Sequence, residues 1–287
     1  MNYAHAFHAG NFADVFKHAV LARILHYLRG KPAAFRVVDT HAGAGLYDLT
    51  GDEASRGGEW HDGIGKLMAA LLPAPAAELL APYLDVVGAL NASGGLRVYP
   101  GSPAIARALL RAQDRLIACE REPRAAAALA RNLRGDARVK TIEIDGWTAL
   151  TAYVPPKERR GLVLIDPPFE QADDFRRMGQ GLSAAHRKWP TGVYMLWYPI
   201  KDRGGPDRLA KHLRRAGLAK LLRAEFDVAS LGDPVRLNGC GLILVNPPWT
   251  LADELAILLP ELAKILSRGP RAGFRLDWLA GETAATR

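Results

Sequence analysis

Short apolar runs alternate with amphipathic stretches along most of the chain, and this alternation constrains the fold more than any other feature. The apolar runs are rich in Val, Ile and Leu, as buried strands are. We predict strands at 35–38, 116–119, 141–144, 162–165, 192–198 and 241–245, and helices at 103–110, 123–133, 173–188, 206–216 and 251–266. Strands that alternate with helices indicate an α/β fold with a mostly parallel, doubly wound sheet. The carboxyl ends of its strands then lie on one edge, where ligands bind.

Composition excludes several classes of protein. The chain has 287 residues and only two cysteines, Cys119 and Cys240, so a disulfide framework is excluded and a reducing compartment is expected. Its 38 basic and 30 acidic residues give a net charge of +8, which suits a polyanionic partner. The most apolar stretch, 67–90, contains two acidic residues and three prolines, which disfavours a membrane span. We expect a cytoplasmic protein without a membrane partner.

The segment 46–101 interrupts the alternation. It is rich in Gly, Pro and Ala, and its three basic and seven acidic residues give it a net charge of −4. Only 96–99 reads as a strand. We therefore predict two units: a domain formed by 1–45 and 102–287, and a mainly helical insertion subdomain at 46–101.

Four predicted strands are followed by an acidic residue: Asp39, Glu120, Asp145 and Asp166. Each carboxylate alone could simply cap the helix that follows its strand. Four in order along one sheet are expected to converge on a single crevice.

The first of these acids opens the glycine-rich sequence DTHAGAG, in which Gly43 and Gly45 permit a tight turn and close approach of a ligand. Glu120 lies 75 residues beyond Gly45, or 19 once the 56-residue insertion is removed, close to the spacing of a ribose-binding carboxylate. The loop lacks the full phosphate-binding pattern, which disfavours NAD and favours S-adenosylmethionine (SAM). Glu120 would accept from ribose hydroxyls and Asp145 from the adenine amine. Ser102 is the predicted N-cap of the next helix.

The tetrapeptide Asp166-Pro167-Pro168-Phe169 follows the fourth acid-ended strand. An exocyclic aromatic amine is a poor nucleophile, and two acceptors on its hydrogens can free its lone pair. The Asp166 carboxylate and the Pro167 carbonyl could supply them, and Phe169 could stack on a flipped-out base. The alternative is a merely rigid loop. A second match, Asn246-Pro-Pro-Trp249, is predicted to be a structural loop away from the crevice.

The strings FHAGNFADVFKH, DTHAGAG, YPGSP, LIDPPF, LWYP and NPPW occur in this order. Together they resemble the J-type adenine-N6 methyltransferases of bacterial 23S ribosomal RNA over nearly the whole chain. The resemblance implies a class I SAM-dependent methyltransferase fold, Rossmann-like, with a small helical insertion. It also implies a monomer that modifies protein-free rRNA.

The resemblance assigns roles residue by residue. Tyr3 is placed near the RNA, and His5 and Lys17 are implicated in activity. Phe169 stands where the family usually has Tyr, which leaves stacking intact. The residues expected at the cofactor site, with Lys17 and Gly43 included, are His18, His41, Ser102, Glu120, Asp145, Gly146 and Asp166. The His5-x-x-His8 spacing lacks a Cys or acidic partner, so no metal site is predicted.

Residues 201–223 hold eight basic and two acidic side chains. On a helix over 206–216, Arg208, Lys211 and Arg215 share one face. This face either contacts RNA phosphates or is simply solvated. Other functions also stay open: a DNA adenine-N6 or protein glutamine methyltransferase, which use similar tetrapeptides, or a non-catalytic RNA-binding module.

Overall fold

The computed structural model describes residues 4–233, 236–269 and 271–281. The strands are β1 (Arg36–Asp39), β2 (Leu46–Asp48), β3 (Val98–Pro100), β4 (Arg115–Glu120), β5 (Val139–Glu143), β6 (Gly161–Ile165), β7 (Val193–Pro199), β8 (Leu221–Asp227), β9 (Gly239–Val245) and β10 (Gly273–Ala280). The helices are α1 (Phe12–Arg29), α2 (Asp52–Gly57), α3 (Lys66–Ala69), α4 (Ala74–Leu90), α5 (Ser102–Leu109), α6 (Pro123–Asn132), α7 (Gly146–Ala152), α8 (Asp174–Lys188), α9 (Gly204–Arg215) and α10 (Leu251–Leu266). A 3₁₀ turn covers His5–Phe7 and a π-type turn covers His61–Gly65.

Eight strands form one sheet in the order β10-β8-β9-β7-β6-β1-β4-β5. The five strands from β5 to β7 are parallel, whereas β9 and β10 run against their neighbours. Helices cover both faces: α1, α5, α6 and α10 pack on one, and α7, α8 and α9 on the other. The prediction of an α/β, doubly wound sheet is confirmed, and the carboxyl ends of β1, β4, β5 and β6 share one edge.

Helix α1 is buried on almost every side. The Asn11 side chain caps it by accepting from the backbone N–H groups of Ala13 and Asp14. Its apolar residues join the same core cluster as those of α4, α5 and α10. This burial fixes the polar side chains of its first turns against the sheet edge.

The segment 46–101 begins and ends in the antiparallel pair β2–β3, and α2, α3 and α4 lie between these strands. The predicted strand at 96–99 corresponds to β3, and the predominance of helix agrees with the expectation. β2 was not predicted. Tyr83 of α4 is fully buried in the core cluster shared with α1. The division of the chain into two units remains a prediction.

Strands β8 and β10 were missed by the sequence analysis because charged residues interrupt their apolar pattern. Arg223 and Glu225 are buried within β8. Arg223 makes two hydrogen bonds to Asp277 of β10, and Glu225 accepts from the Tyr198 hydroxyl of β7. Buried charges of this kind require partners on adjacent strands, and those partners are distant in sequence. Within the described ranges, no helix is both long and apolar enough to cross a membrane.

Candidate active site

The carboxyl edge of the sheet brings Asp39 and Asp166 together, as β1 and β6 are neighbouring strands. Asp39 is 1% exposed and accepts a hydrogen bond of 2.6 Å from the Ser102 hydroxyl. Burial, opposed by this hydrogen bond and reinforced by the charge of Asp166, raises the pKa of Asp39 to about 7. The predicted N-cap role of Ser102 is wrong. Gly101 occupies the N-cap position and Ser102 begins α5, so that its hydroxyl is directed to Asp39.

The glycine-rich loop lies against the end of β4. Gly43 and Gly45 have φ angles of +60° and +81°, and a Cβ on Gly43 would collide with the Tyr47 hydroxyl. The Gly43 N–H donates to Glu120 Oε2 at 2.8 Å, and Oε1 accepts from the N–H groups of Arg121 and Glu122. A carboxylate has about four acceptor positions, so Glu120 retains one for a ligand hydroxyl.

The Asp145 side chain caps the helix that follows its strand, as the sequence analysis allowed for each of the four acids. Its Oδ1 accepts from the N–H groups of Trp147 and Thr148 at the start of α7. Its Oδ2 has only exposed Arg121, at 3.6 Å, and remains an available acceptor. At Gly146, a Cβ would collide with the Thr40 carbonyl and the His41 ring, so glycine allows these two residues to pack closely against the start of α7.

His41 presents an acceptor to the same crevice. The Thr40 hydroxyl donates to the Leu164 carbonyl, so His41 Nδ1, 2.8 Å away, must donate to the Thr40 oxygen. This tautomer leaves Nε2 with a lone pair. Burial lowers the pKa of His41 to about 4, and the ring is therefore neutral near pH 7.

A buried ion-pair cluster connects α1 to the loop after β6. The Lys17 ammonium lies 2.6 Å from Asp166 Oδ2 and 2.9 Å from Asp14 Oδ1. Asp14 also accepts from His5 Nε2 and from the Gly10 N–H. Burial alone would lower the pKa of Lys17, but the two carboxylates outweigh it and hold that pKa well above its ordinary value. The lysine is therefore a fixed cation beside Asp166.

His18 directly follows Lys17 in α1. Its Nδ1 lies 2.7 Å from the Tyr99 hydroxyl, which in turn lies 2.9 Å from the Tyr83 hydroxyl. Burial lowers the pKa of His18 to about 3. Its buried Nε2 has no hydrogen-bond partner among the described residues, as expected of a group that serves a ligand. Tyr3, the other residue assigned near this site by resemblance, lies outside the described residues.

The tetrapeptide forms an aromatic wall beside Asp166. Pro167 is buried, Pro168 is exposed, and Phe169 is partly exposed with φ of +52°. The Phe169 ring centroid lies 4.9 Å from that of Phe175 and 5.9 Å from that of Trp197, edge-on. A half-exposed ring in this position can receive a planar base.

The second tetrapeptide lies on the opposite edge of the sheet, because β9 is antiparallel to β7. Asn246 Nδ2 donates to the carbonyls of Pro190 and Gly192. The interpretation as a structural loop away from the crevice agrees with this position.

The basic face of α9 begins close to the aromatic wall. Gly205, at the start of the helix, packs against Phe175, which contacts Phe169. Arg208, Lys211 and Arg215 are all exposed, and α9 itself covers most of the predicted range.

Two residues of the site were not assigned from the sequence. Asp14 is three residues before Lys17, a spacing that places both on one face of a helix and could have indicated the pair. Trp197 was only part of a quoted string, although the Lys17 ammonium lies 5.9 Å from its ring centroid.

Comparisons with known proteins agree on one family. The family model described as "Ribosomal RNA large subunit methyltransferase D, RlmJ" matches residues 32–280. Two curated proteins named ribosomal RNA large subunit methyltransferase J, from Escherichia coli K12 and Haemophilus influenzae, are each 39% identical and cover 98% of this chain and 100% of their own. The crystal structure of a Legionella pneumophila protein superimposes with a TM-score of 0.84 at 33% identity, over 94% of this chain and 98% of that one.

Proposed function

The chain belongs to the ribosomal RNA large subunit methyltransferase D, RlmJ family, and from this premise we propose that it methylates the exocyclic N6 of one adenine in 23S rRNA. It is a SAM-dependent methyltransferase of the class I fold, as predicted. The adenine N6 and the choice of 23S rRNA are the parts that we propose.

The Lys17–Asp166 contact is the observation that carries the proposal. It holds Asp166 Oδ2 at 2.6 Å from a permanent cation, so this oxygen is oriented before substrate arrives. Asp166 Oδ1 accepts no hydrogen bond from any described residue. A carboxylate fixed through one oxygen presents the other to a donor, and an adenine amine is such a donor.

Asp166 and the Pro167 carbonyl would each accept one hydrogen of the amine. This draws the nitrogen away from planarity and localises its lone pair for attack. Phe169 would support the face of the base, as stacking on aromatic side chains is worth about 1–3 kcal/mol. The proton leaves the nitrogen after the N–C bond forms, with Asp166 as the nearest acceptor.

The residues of the crevice fit SAM, which supplies an electrophilic methyl group when bound. The unpartnered His18 Nε2, the spare acceptor position of Glu120 and the available Asp145 Oδ2 can receive polar groups of the cofactor. Gly146 allows the His41 ring to pack closely against the start of α7. We propose that Lys17, Gly43, Ser102 and Asp39 complete the walls of this site.

On the RNA side, we propose that the exposed residues Arg208, Lys211 and Arg215 contact phosphates next to the flipped base. His5 and Tyr3 are proposed, on the family resemblance, to act on the RNA substrate. On the family resemblance, we also propose that the protein is a monomer and that it acts on protein-free or early-assembly rRNA. The insertion subdomain at 46–101 is proposed on the same basis.

Mass spectrometric mapping of methyladenosine in 23S rRNA tests the function. We expect one N6-methyladenosine to be lost in cells that lack the protein and restored by the wild-type gene but not by Asp166→Asn. The purified enzyme should methylate deproteinised 23S rRNA at the same nucleotide. Methylation of DNA adenine or of a protein glutamine in place of RNA would reject the proposal.

A triple variant of α9 tests the RNA face. Arg208→Gln, Lys211→Gln and Arg215→Gln together should weaken RNA binding and reduce the slope of log K against log salt by about 0.7–0.9 for each phosphate that is no longer neutralised. SAM affinity should stay unchanged. An unaltered slope would place the RNA-binding surface elsewhere.

A further inference from the structure

The amino ends of the central strands carry a row of arginines on the face that α7 and α8 cover. Arg36 of β1 and Arg115 of β4 are register partners. Arg138 lies beside Arg115, since the Leu116 N–H donates to the Arg138 carbonyl and continues the register of β4 with β5. Paired residues point to the same face of a sheet, so the three arginines occupy neighbouring positions on that face.

A cleft of about 210 Å³ opens along this row, lined by Arg36, Arg115, Arg138, Lys140 and apolar strand residues. Arg36 pairs with Glu158 at 2.8 Å, and Arg138 pairs with Asp136. Arg115 bonds only to backbone carbonyls, and neither it nor exposed Lys140 has an acidic partner in the described part of the chain. Like charges on adjacent strands are destabilising, and here two of four remain without a counter-charge.

A second cleft, of about 500 Å³, adjoins the first. Its basic lining residues are Lys157, Arg159 and Lys188. Glu158 lies between two of these in sequence and pairs with Arg36 of the first cleft, so this ion pair separates the two clefts. Neither lining includes an acidic residue.

We propose that these two amino-edge clefts form a second phosphate-contacting surface for the RNA substrate, distinct from the face of α9. This inference rests on the proposed rRNA substrate. Seven cations distributed over two adjoining clefts suit an extended polyanion better than a single small anion. Arg36 and Asp39 are separated by the length of β1, about 10 Å at the usual rise per residue. A structured RNA is larger than this, so one molecule can contact both edges of the sheet.

The test removes three exposed lysines of the clefts, Lys140→Gln, Lys157→Gln and Lys188→Gln, in the full-length protein. The matched control removes three exposed cations from the other face of the sheet, Arg124→Gln, Arg131→Gln and Lys264→Gln. Binding of deproteinised 23S rRNA is measured over a range of KCl concentrations, together with SAM affinity and methyl transfer at saturating RNA.

We expect the cleft variant to lower RNA affinity and to reduce the salt slope by about 0.7–0.9 for each phosphate that the clefts no longer neutralise. Its SAM affinity and its rate at saturating RNA should match wild type, and the control should keep the wild-type slope. Equal slopes in the cleft variant, the control and wild type would overturn the proposal while leaving the proposed function intact. Wild-type protein that methylates no RNA adenine would instead reject the proposed function.

Discussion

The two edges of the sheet carry charged groups in opposite ways. At the carboxyl edge, Lys17 and Asp14 have side chains that are 6% and 2% exposed, and they bond to each other. At the amino edge, Lys140, Lys157 and Lys188 are exposed to solvent. Buried charges fix the position of a reactive oxygen, whereas hydrated charges on flexible side chains can follow a phosphate backbone. The buried charges of the carboxyl edge therefore suit a role in methyl transfer, and the exposed charges of the amino edge suit a role in RNA binding.

The largest effect is expected at the carboxyl edge. Asp166→Asn should lower methyl transfer by about 10²–10⁴-fold, the range for loss of a positioned proton acceptor, with little change in fold. The matched control is Asn246→Ala in the similar tetrapeptide on the other edge, which should lower stability but leave kcat unchanged. The methyl-transfer rates of both variants are measured in single turnovers on deproteinised 23S rRNA. Comparable losses of rate in the two variants would contradict the assignment of catalysis to the carboxyl edge alone.

Removal of one cation from each edge should also give unequal results. Lys17→Met removes the ammonium that Asp14 and Asp166 share. It leaves Asp166 without a counter-charge among the described residues and Asp14 with its contacts to His5 and Gly10, and should reduce the free energy of unfolding by about 3–5 kcal/mol. Arg36→Met leaves Glu158, whose side chain is 14% exposed, without its counter-charge but relieves repulsion from Arg115, so its effect should be smaller, at about 1–3 kcal/mol. Urea denaturation provides both values. Equal losses of unfolding free energy in Arg36→Met and Lys17→Met would contradict the expected effect of burial on the two ion pairs.

The pH dependence of stability should arise at the carboxyl edge, because arginines do not titrate in proteins. Burial raises the pKa of Asp39 from 3.8 to about 7, so between these values the folded protein keeps a proton that the unfolded chain has lost. The Asp39 contribution to stability therefore falls as the pH rises from about 4 to about 7. The loss is at most about 4 kcal/mol, at about 1.4 kcal/mol per pKa unit. The buried neutral His18 and His41 oppose it, because their lowered pKa values make the folded state more favourable as the histidines of the unfolded chain lose their protons.

Asp39→Asn is the control for that titration, since it keeps the Ser102 contact and cannot lose a proton. Unfolding free energies of the two proteins, measured between pH 5 and pH 8, should converge as the pH rises if wild type is the more stable at pH 5. Parallel curves would show that Asp39 titrates normally.

A smaller effect is expected at Glu120, which is partly exposed at the same edge. Glu120→Ala should weaken SAM binding by about 1.5–3 kcal/mol, the range for hydrogen bonds to a charged group. The control is Glu122→Ala. Both oxygens of Glu122 cap α6 through the N–H groups of Arg124 and Ala125, so its loss should lower stability without changing SAM affinity. If titration calorimetry showed weaker SAM binding in Glu122→Ala and unchanged binding in Glu120→Ala, the ribose contact would be assigned to Glu122 instead.

Much of this site could be predicted from local sequence. Strands such as β6 are buried on both faces and read as continuous apolar runs, and the acids at their ends follow directly. Strand direction was harder to predict. Because β9 runs antiparallel, Asn246 lies opposite Asp166, and nothing within its tetrapeptide signals this orientation.

Side-chain partners across long separations were not predictable. Lys17 and Asp166 are 149 residues apart, and the pairing of Ser102 with Asp39 replaced a local capping role. Strand β8 was missed for the same reason. In the sequence Arg223 resembles a surface residue, and only the fold places Asp277 of β10 beside it. In each case the tertiary partner decides which of two local interpretations applies.

The bridge from Lys17 of α1 to Asp166 after β6 has a consequence for biosynthesis. A ribosome adds about 5–20 residues per second, so the 149 residues between Lys17 and Asp166 require about 7–30 s. Throughout that interval the apolar surface of α1 lacks its sheet, and the Arg23–Glu254 pair, 231 residues apart, forms later still. Helix α1 can pack early against α4 and α5, which follow it closely in sequence, whereas its polar partners Asp166 and Glu254 are synthesised much later. The bridge that orients Asp166 therefore forms only after the first six strands have been synthesised.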